Sequence, residues 1–311
     1  MSIDFRYRLV ATQGTQRREH FGVDNRRVAV NHYENFPVAS WLCPSRLRPA
    51  VVAIYRFARA ADDIADEGQA DSQSRLADLA AYRADLSAAA AGTIGSSRWP
   101  EVFESLRPVL AQFRLPMHLL TDLLSAFEQD VRKSHYAHRN ELLDYCRRSA
   151  NPVGRLMLHL YGISDDTALS RSDAICTALQ LANFWQDLGV DAARGRYYVP
   201  DEDCQRHGAA VQAQWERRDT AASRAIVTDL VQWGRTLMHS GAPLVHQING
   251  GAGWELRLVV QGGLRILEKI DLLQGATIQT RPALRAVDGP VMLWRALRMR
   301  PTGTVTAPAY P

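Results

Sequence analysis

The chain has 311 residues, 46% hydrophobic and 23% charged, enough for one large domain or two ordinary ones and within the usual globular range. Its net charge of +4 rests almost wholly on arginine, since Lys133 and Lys269 are the only lysines among 37 basic residues; no five-residue basic run occurs, which argues against a nucleic-acid partner. No apolar run of about 18 residues is present to cross a bilayer, the N-terminus lacks the apolar core of a signal peptide, and Cys43, Cys146, Cys176 and Cys204 form no C-x-x-C, so the expected setting is a reducing cytoplasm with free thiols.

Residues 1–30 are basic and polar and are expected to be only partly ordered. From residue 47 the apolar positions recur with helical period, and the pattern predicts helices near 47–67, 72–91, 101–112, 117–130, 139–161, 170–193, 215–242, 253–273 and 290–299. Turn residues separate them, including Pro116, Gly162-Ile-Ser-Asp-Asp, Gly195, Pro200 and Gly250-Gly-Ala-Gly. Alternating β-branched runs are nearly absent and no G-x-G-x-x-G follows a strand, so the expected fold is an all-α bundle without a built-in dinucleotide site. Residues 31–290 are expected to form that single domain, and 291–311 a basic amphipathic tail.

The first helix carries Tyr55-Arg-Phe-Ala-Arg-Ala-Ala-Asp-Asp-Ile-Ala-Asp66. At about 100° per residue, Tyr55, Arg59, Asp62 and Asp66 share one narrow stripe flanked by apolar walls. Two carboxylates four residues apart repel in an isolated helix and are better tolerated with a cation between them. The helix predicted for 170–193 repeats the device: Gln180, Asn183, Asp187 and Asp191 share a sector beside Phe184 and Trp185, and Arg194-Gly-Arg-Tyr-Tyr-Val-Pro200 follows. Facing each other, two such pairs would cradle Mg²⁺ and a diphosphate, because Mg²⁺ takes one or two carboxylates, waters and substrate phosphates. Metal ions make diphosphate a better leaving group. A carbocation left behind needs an apolar, water-poor cavity and aromatic faces. The simpler reading of Arg59 and Asp62 is a surface salt bridge. His135-x-x-His138 lacks a third ligand and is read as surface.

These motifs, in this order and spacing, resemble the squalene/phytoene synthase family over residues 32–200. Y-x-x-x-R-x-x-D-D-x-x-D at 55–66 looks like its first aspartate-rich motif, and N-x-x-x-D-x-x-x-D with R-G-R-x-Y-x-P at 183–200 like its second. The resemblance implies an isoprenoid-synthase helical bundle with Mg²⁺ held by Asp62, Asp66, Asn183, Asp187 and Asp191. It places Tyr145, in Y-C-R-R-S-A-N-P-V-G, at an active-site tyrosine, with Pro152 expected to kink the helix behind it. It assigns diphosphate contacts to Tyr55, Arg59, Gln180 and Arg196, to His32 and Asn35 ahead of the first helix, and more loosely to Arg281.

His32-Tyr-Glu-Asn-Phe-Pro-Val-Ala-Ser40 and Ala182-Asn-Phe-Trp-Gln-Asp187 look like the hopanoid-pathway branch. That branch implies conversion of presqualene diphosphate to hydroxysqualene, with water capturing the cation and a separate flavin enzyme completing squalene, so NADPH is not expected. Relative to condensing members, Glu34 and Gln186 replace cations and Val190 replaces a carboxylate. The sequence leaves open a condensing synthase making presqualene diphosphate, squalene or phytoene from prenyl diphosphates, and also a non-catalytic assembly or lipid-binding relative, against which retention of all four aspartates argues. The expected partners are an isoprenoid diphosphate and enzymes of the same pathway. The tail is read either as a helix packed on the core or as a patch touching an anionic bilayer from the cytoplasmic side.

Overall fold

A computed structural model describes residues 42–210 and 218–300. Among them the chain is helical, with no strand beyond a single parallel bridge pairing His135 with Tyr197. The helices are α1 (Arg48–Asp66), α2 (Ser72–Ala90), α3 (Pro100–Phe113), α4 (Met117–Arg132), α5 (Arg139–Ser149), α6 (Asn151–Leu160), α7 (Asp166–Gln186), α8 (Leu188–Ala193), α9 (Asp201–Arg206), α10 (Ala221–Gly241), α11 (Gly250–Leu272) and α12 (Asp288–Arg298), with a 3-10 turn at Ala242–His246. Several starts are capped. The Asp71 carboxylate accepts from Ser74 N–H at 2.7 Å, Asp165 from Ala168 N–H at 2.8 Å, and Thr220 with Ser223 forms a reciprocal box opening α10. Each such cap is worth about 1 kcal/mol.

Two apolar clusters carry the single domain. One joins α1 to α2, α3, α4 and α6 around Phe57, Tyr82, Leu120 and Leu156. The other joins α5 and α7 to α10 and α11 around Phe184, Trp185, Val231 and Leu267. The carboxylate-bearing helices α1 and α7 therefore belong to different halves of the bundle, and the space between the halves is where a site can form.

Four expectations need correction, and one short helix was not expected. The helix expected at 139–161 is two, because Pro152 has no N–H to donate and the chain turns at Ala150 (φ −117°, ψ −49°), placing the proline in the first turn of α6. The helix expected at 170–193 starts earlier, at its Asp165 cap, and breaks at Asp187 (φ −108°, ψ 13°) into α7 and α8. Gly250 makes the expected turn with φ 70°, but Gly251-Ala-Gly253 already lies in the first turn of α11. A Cβ at Gly251 would lie 2.5 Å from the Leu42 carbonyl oxygen, and one at Gly253 would lie 2.0 Å from that of Ile248, so these glycines serve close packing. Helix α9 is too short and polar to show a period, and is anchored by buried Cys204 and by Asp203, which accepts from Arg139 at 2.7–3.1 Å. Finally, α10 begins at Ala221 rather than near 215, and residues 211–217 lie outside the described residues.

The expected division at residue 291 falls inside α12, which is held on α11. Asp288 is buried and accepts from Arg265 at 2.8 Å, Lys269 at 2.7 Å and Arg285 N–H at 2.7 Å. Burial pushes its carboxyl up, but these three donors outweigh it and hold the pKa down at about 2. Arg257 donates to the carbonyls of Ala296 and Met299 at the far end. The opposite side of α12 exposes Leu293, Trp294 and Leu297. No described helix is long and apolar enough to cross a membrane, and the four cysteines are free.

Candidate active site

On α1, Asp62 is buried while Arg59, one turn back, spans its own helix. The guanidinium reaches Asp62 at 3.4 Å, Asp63 at 2.8 Å and Glu67 at 3.3 Å. The local ion pair thus exists, but it lies against a buried carboxylate rather than on an open surface. Tyr55, half-buried, lies a further turn back.

The break at Asp187 does not spoil the spacing of the second pair. Asp187 N–H donates to Asn183 O at 3.0 Å, and Asp191 N–H to Asp187 O at 2.9 Å, so a one-turn advance is kept through the junction. Gln180, Asn183, Asp187 and Asp191 are all buried. After α8, Gly195 takes φ 73°, a conformation that disfavours any side chain. The turn sends Arg196 back across the bundle, where its guanidinium grips both oxygens of Asp66, the Nη1 bond at 2.7 Å. This fork ties the α8–α9 loop to α1.

Arg281 arrives from the far end of the chain. Its Nε donates to Asp187 Oδ1 at 2.6 Å. The segment that carries it lies directly on α8, because Gly189 has no Cβ; one built there would stand 2.0 Å from the Ile278 carbonyl oxygen. Asp219 accepts from the N–H groups of Ile278 and Gln279 at 3.1 and 3.2 Å. Gln186, fully buried, donates to the Pro282 carbonyl at 2.6 Å. Thus Gln186 anchors the strap that positions Arg281. Arginines from three separate elements, Arg59, Arg196 and Arg281, each cover one aspartate of the two pairs.

A polar pocket of about 280 Å³ opens over the Asp66–Arg196 fork, with Asp130, Lys133, Arg132 and Arg194 around it. Along the same helices lies an apolar cavity of about 220 Å³, between α1, α6, α7 and α11, whose walls include Val51, Val153, Met157, Leu179 and Val259. Val51 and Asp66 are 15 residues apart, so the two spaces are separated by about 22 Å along α1 at 1.5 Å per residue. Burial pushes the Cys176 thiol on the cavity wall up to about 11 and raises the Tyr161 phenol as well, keeping both neutral.

Near the carboxylate end, four aromatic rings pack together. Phe184 and Tyr198 stack at 3.8 Å between centroids, Tyr145 lies 6.0–6.1 Å from both, and Tyr136 lies 5.6 Å from Tyr145. Tyr145 O–H donates to Asp130 Oδ2 at 2.7 Å, and Tyr198 O–H to Asp130 Oδ1 at 3.4 Å. The sequence reading missed Asp130 and Tyr136, and it quoted Tyr198 only as part of the R-G-R-x-Y-x-P motif. A signal existed for the first: Leu123, Phe127 and Asp130 advance by four and three residues along the buried face of α4, where an acid is out of place unless it is used. His32 and Asn35 lie outside the described residues. His135 and His138 are exposed, and His138 faces Glu202 at 3.3 Å.

The donors available to a metal are all oxygens, from Asp62, Asp66, Asn183, Asp187 and Asp191. Among the described residues no three His, Cys, Asp or Glu side chains converge into a closed metal cage. An all-oxygen donor set is what Mg²⁺ takes, with phosphates and water completing its shell, and it lacks the Cys and His ligands of a structural Zn²⁺ site.

The squalene/phytoene synthase family model matches residues 29–288. The chain belongs to this family. It is 34% identical over 250 residues to the hydroxysqualene synthase of Sinorhizobium fredii, covering 80% of this chain and 82% of that protein. With the hydroxysqualene synthase of Rhodopseudomonas palustris it shares 37% over 216 residues, covering 69% and 71%. The crystal structure of squalene synthase HpnC from Alicyclobacillus acidocaldarius superposes with a TM-score of 0.72 at 38% identity, over 78% of this chain and 90% of that one. The chain is accordingly an all-α isoprenoid synthase of a family that acts on isoprenoid diphosphates.

Proposed function

We propose that the protein converts presqualene diphosphate into hydroxysqualene in a Mg²⁺-dependent reaction, releasing diphosphate and capturing the carbocation with water. The observation that carries this reading is Gln186. Condensing members place an arginine before the second aspartate motif; here that position is an amide buried against Pro282. A head-to-head condensation must manage two diphosphates, whereas presqualene diphosphate brings one, and a site with fewer cations suits the second task. The similarity to two hydroxysqualene synthases points the same way.

In this reading Asp62, Asp66, Asn183, Asp187 and Asp191 hold Mg²⁺, which when bound neutralises the diphosphate and assists its departure. Arg196 and Arg281, hydrogen-bonded to Asp66 and Asp187, would supply charge-assisted contacts to the diphosphate oxygens. The aromatic faces of Tyr145, Phe184 and Tyr198 shield the cation from bulk water and stabilise it electrostatically. The apolar cavity receives hydrocarbon. The exposed Leu293, Trp294 and Leu297 of α12, with Arg298 stacked 4.2 Å over Trp294, form a face for peripheral contact with an anionic bilayer; co-sedimentation with anionic vesicles, lost on Trp294→Ala with Leu297→Ala, tests that part.

The test of the reaction is a product assay. The purified protein with Mg²⁺ receives either presqualene diphosphate or farnesyl diphosphate, with and without NADPH. Hydroxysqualene from presqualene diphosphate alone is expected. Robust conversion of farnesyl diphosphate would move the function to a condensing synthase and refute the Gln186 argument.

A further inference from the structure

Capture of a carbocation by water leaves one proton to be removed, and the residues assigned so far do not account for it. Asp130 lies where it can. It stands in the last turn of α4, with one oxygen 2.7 Å from the Tyr145 hydroxyl, inside the aromatic cluster, and the other 3.4 Å from that of Tyr198. It also lines the polar pocket beside Asp66, Lys133 and Arg196. A single carboxylate therefore joins the buried aromatic cluster to the polar pocket beside Asp66. A phenol on its own is a weak base near neutrality, with an ordinary pKa of about 10 for its own proton. Hydrogen-bonded to a carboxylate, it can accept from water while passing its own proton on, in the manner of an oriented base pair.

We propose that Asp130, acting through Tyr145, is the acceptor for the proton released when water captures the cation. The proposal rests on the reaction given above. Water oxygen forms one C–O bond to the cationic carbon. The resulting oxonium gives one proton to the Tyr145 oxygen as Tyr145 gives its hydroxyl proton to Asp130 Oδ2. No electron is gained or lost, and the proton leaves through the polar pocket with the diphosphate. Asp130 is thus a positioning and proton-accepting residue behind Tyr145, not a group that touches the hydrocarbon.

The test uses Asp130→Asn, which keeps an oxygen for the Tyr145 hydrogen bond but cannot take the proton. Presqualene diphosphate is supplied with Mg²⁺, and released diphosphate and each product are measured together. Alcohol formation is expected to fall by about a hundredfold, the usual scale of general-base loss, with KM unchanged. Diphosphate release falls far less, and hydrocarbons formed by C–H proton loss to diphosphate replace the missing alcohol. Tyr145→Phe gives the same shift in products and decides the matter if Asp130→Asn does not fold. Unchanged alcohol yield overturns the proposal. So does a parallel loss of alcohol and diphosphate at a constant ratio, which would place Asp130 before ionisation. A wild-type protein that makes no alcohol refutes the reaction itself, whereas wild-type alcohol with an unaltered Asp130→Asn product ratio refutes only this inference.

Discussion

Replacing Arg196 with Gln separates the two jobs the site asks of its arginines. Arg196 forks both oxygens of Asp66, and the two side chains are only 16% and 11% exposed. Charge-assisted hydrogen bonds of this kind contribute about 1.5–3 kcal/mol, and a fully buried pair that loses one partner costs about 3–5 kcal/mol. Partial exposure places this fork at the lower scale, so Arg196→Gln should cost about 2 kcal/mol. That corresponds to a melting shift of roughly 4–8 °C in domains of 150–250 residues, and to less in this longer chain. Mg²⁺ should then restore more stability to the variant than it adds to wild type, since a metal at Asp66 replaces the missing positive charge. Inorganic diphosphate, by contrast, should bind the variant with Mg²⁺ about 10–100-fold more weakly, the loss of one charge-assisted anion contact. Differential scanning fluorimetry and calorimetric titration read both effects. An unchanged melting point, or equal Mg²⁺ stabilisation of the two proteins, would refute the reasoning that arginine stands in for metal at this carboxylate.

Asp62→Ala or Asp187→Ala should lower turnover by at least about 10²–10³-fold, the scale of removing one preorganised charge-stabilising group, with the far-ultraviolet spectrum unchanged; full activity in either would overturn the site. Gly154→Ala places a Cβ 2.4 Å from Ser172 Oγ and 2.5 Å from Cys176 Sγ on the wall of the apolar cavity. It should cost about 1–3 kcal/mol and raise KM, checked by thermal melts and steady-state kinetics. Asp288, with its folded pKa held at about 2, lies below the unfolded carboxylate value of about 3.9. Its contribution is therefore complete above the unfolded value and lost as pH falls through the folded one, and Asp288→Asn should flatten the decline in melting point between about pH 5 and pH 2.

The helices were legible where an apolar period ran unbroken, as in α1 and α4, because burial of one face fixes both the element and its orientation. They were misread where backbone chemistry intervenes locally. Pro152 divides α5 from α6, and Asp187 sits at a helix junction without losing the i, i+4 relation that the site uses. The glycines of α11 read as a turn, yet they are there because the Leu42 and Ile248 carbonyls come too close for a side chain. The i, i+4 relation of each aspartate pair was legible from spacing alone and holds in the structure. Arg196 and Arg281 were named as diphosphate contacts, but which aspartate each pairs with was not legible, because Arg196 reaches Asp66 across 130 residues of sequence and Arg281 reaches Asp187 across 94. Asp130 escaped for a similar reason. Its partners Tyr145 and Tyr198 lie 15 and 68 residues away, and only the three-dimensional path reveals the cluster.

The most direct test of water capture is the origin of the product's oxygen. Presqualene diphosphate would be turned over by the wild-type protein with Mg²⁺ in H₂¹⁸O, and the extracted C30 product analysed by mass spectrometry. The account predicts hydroxysqualene carrying one ¹⁸O in every molecule, formed without NADPH. An unlabelled alcohol, or a hydrocarbon product that appears only with a hydride donor, would contradict it.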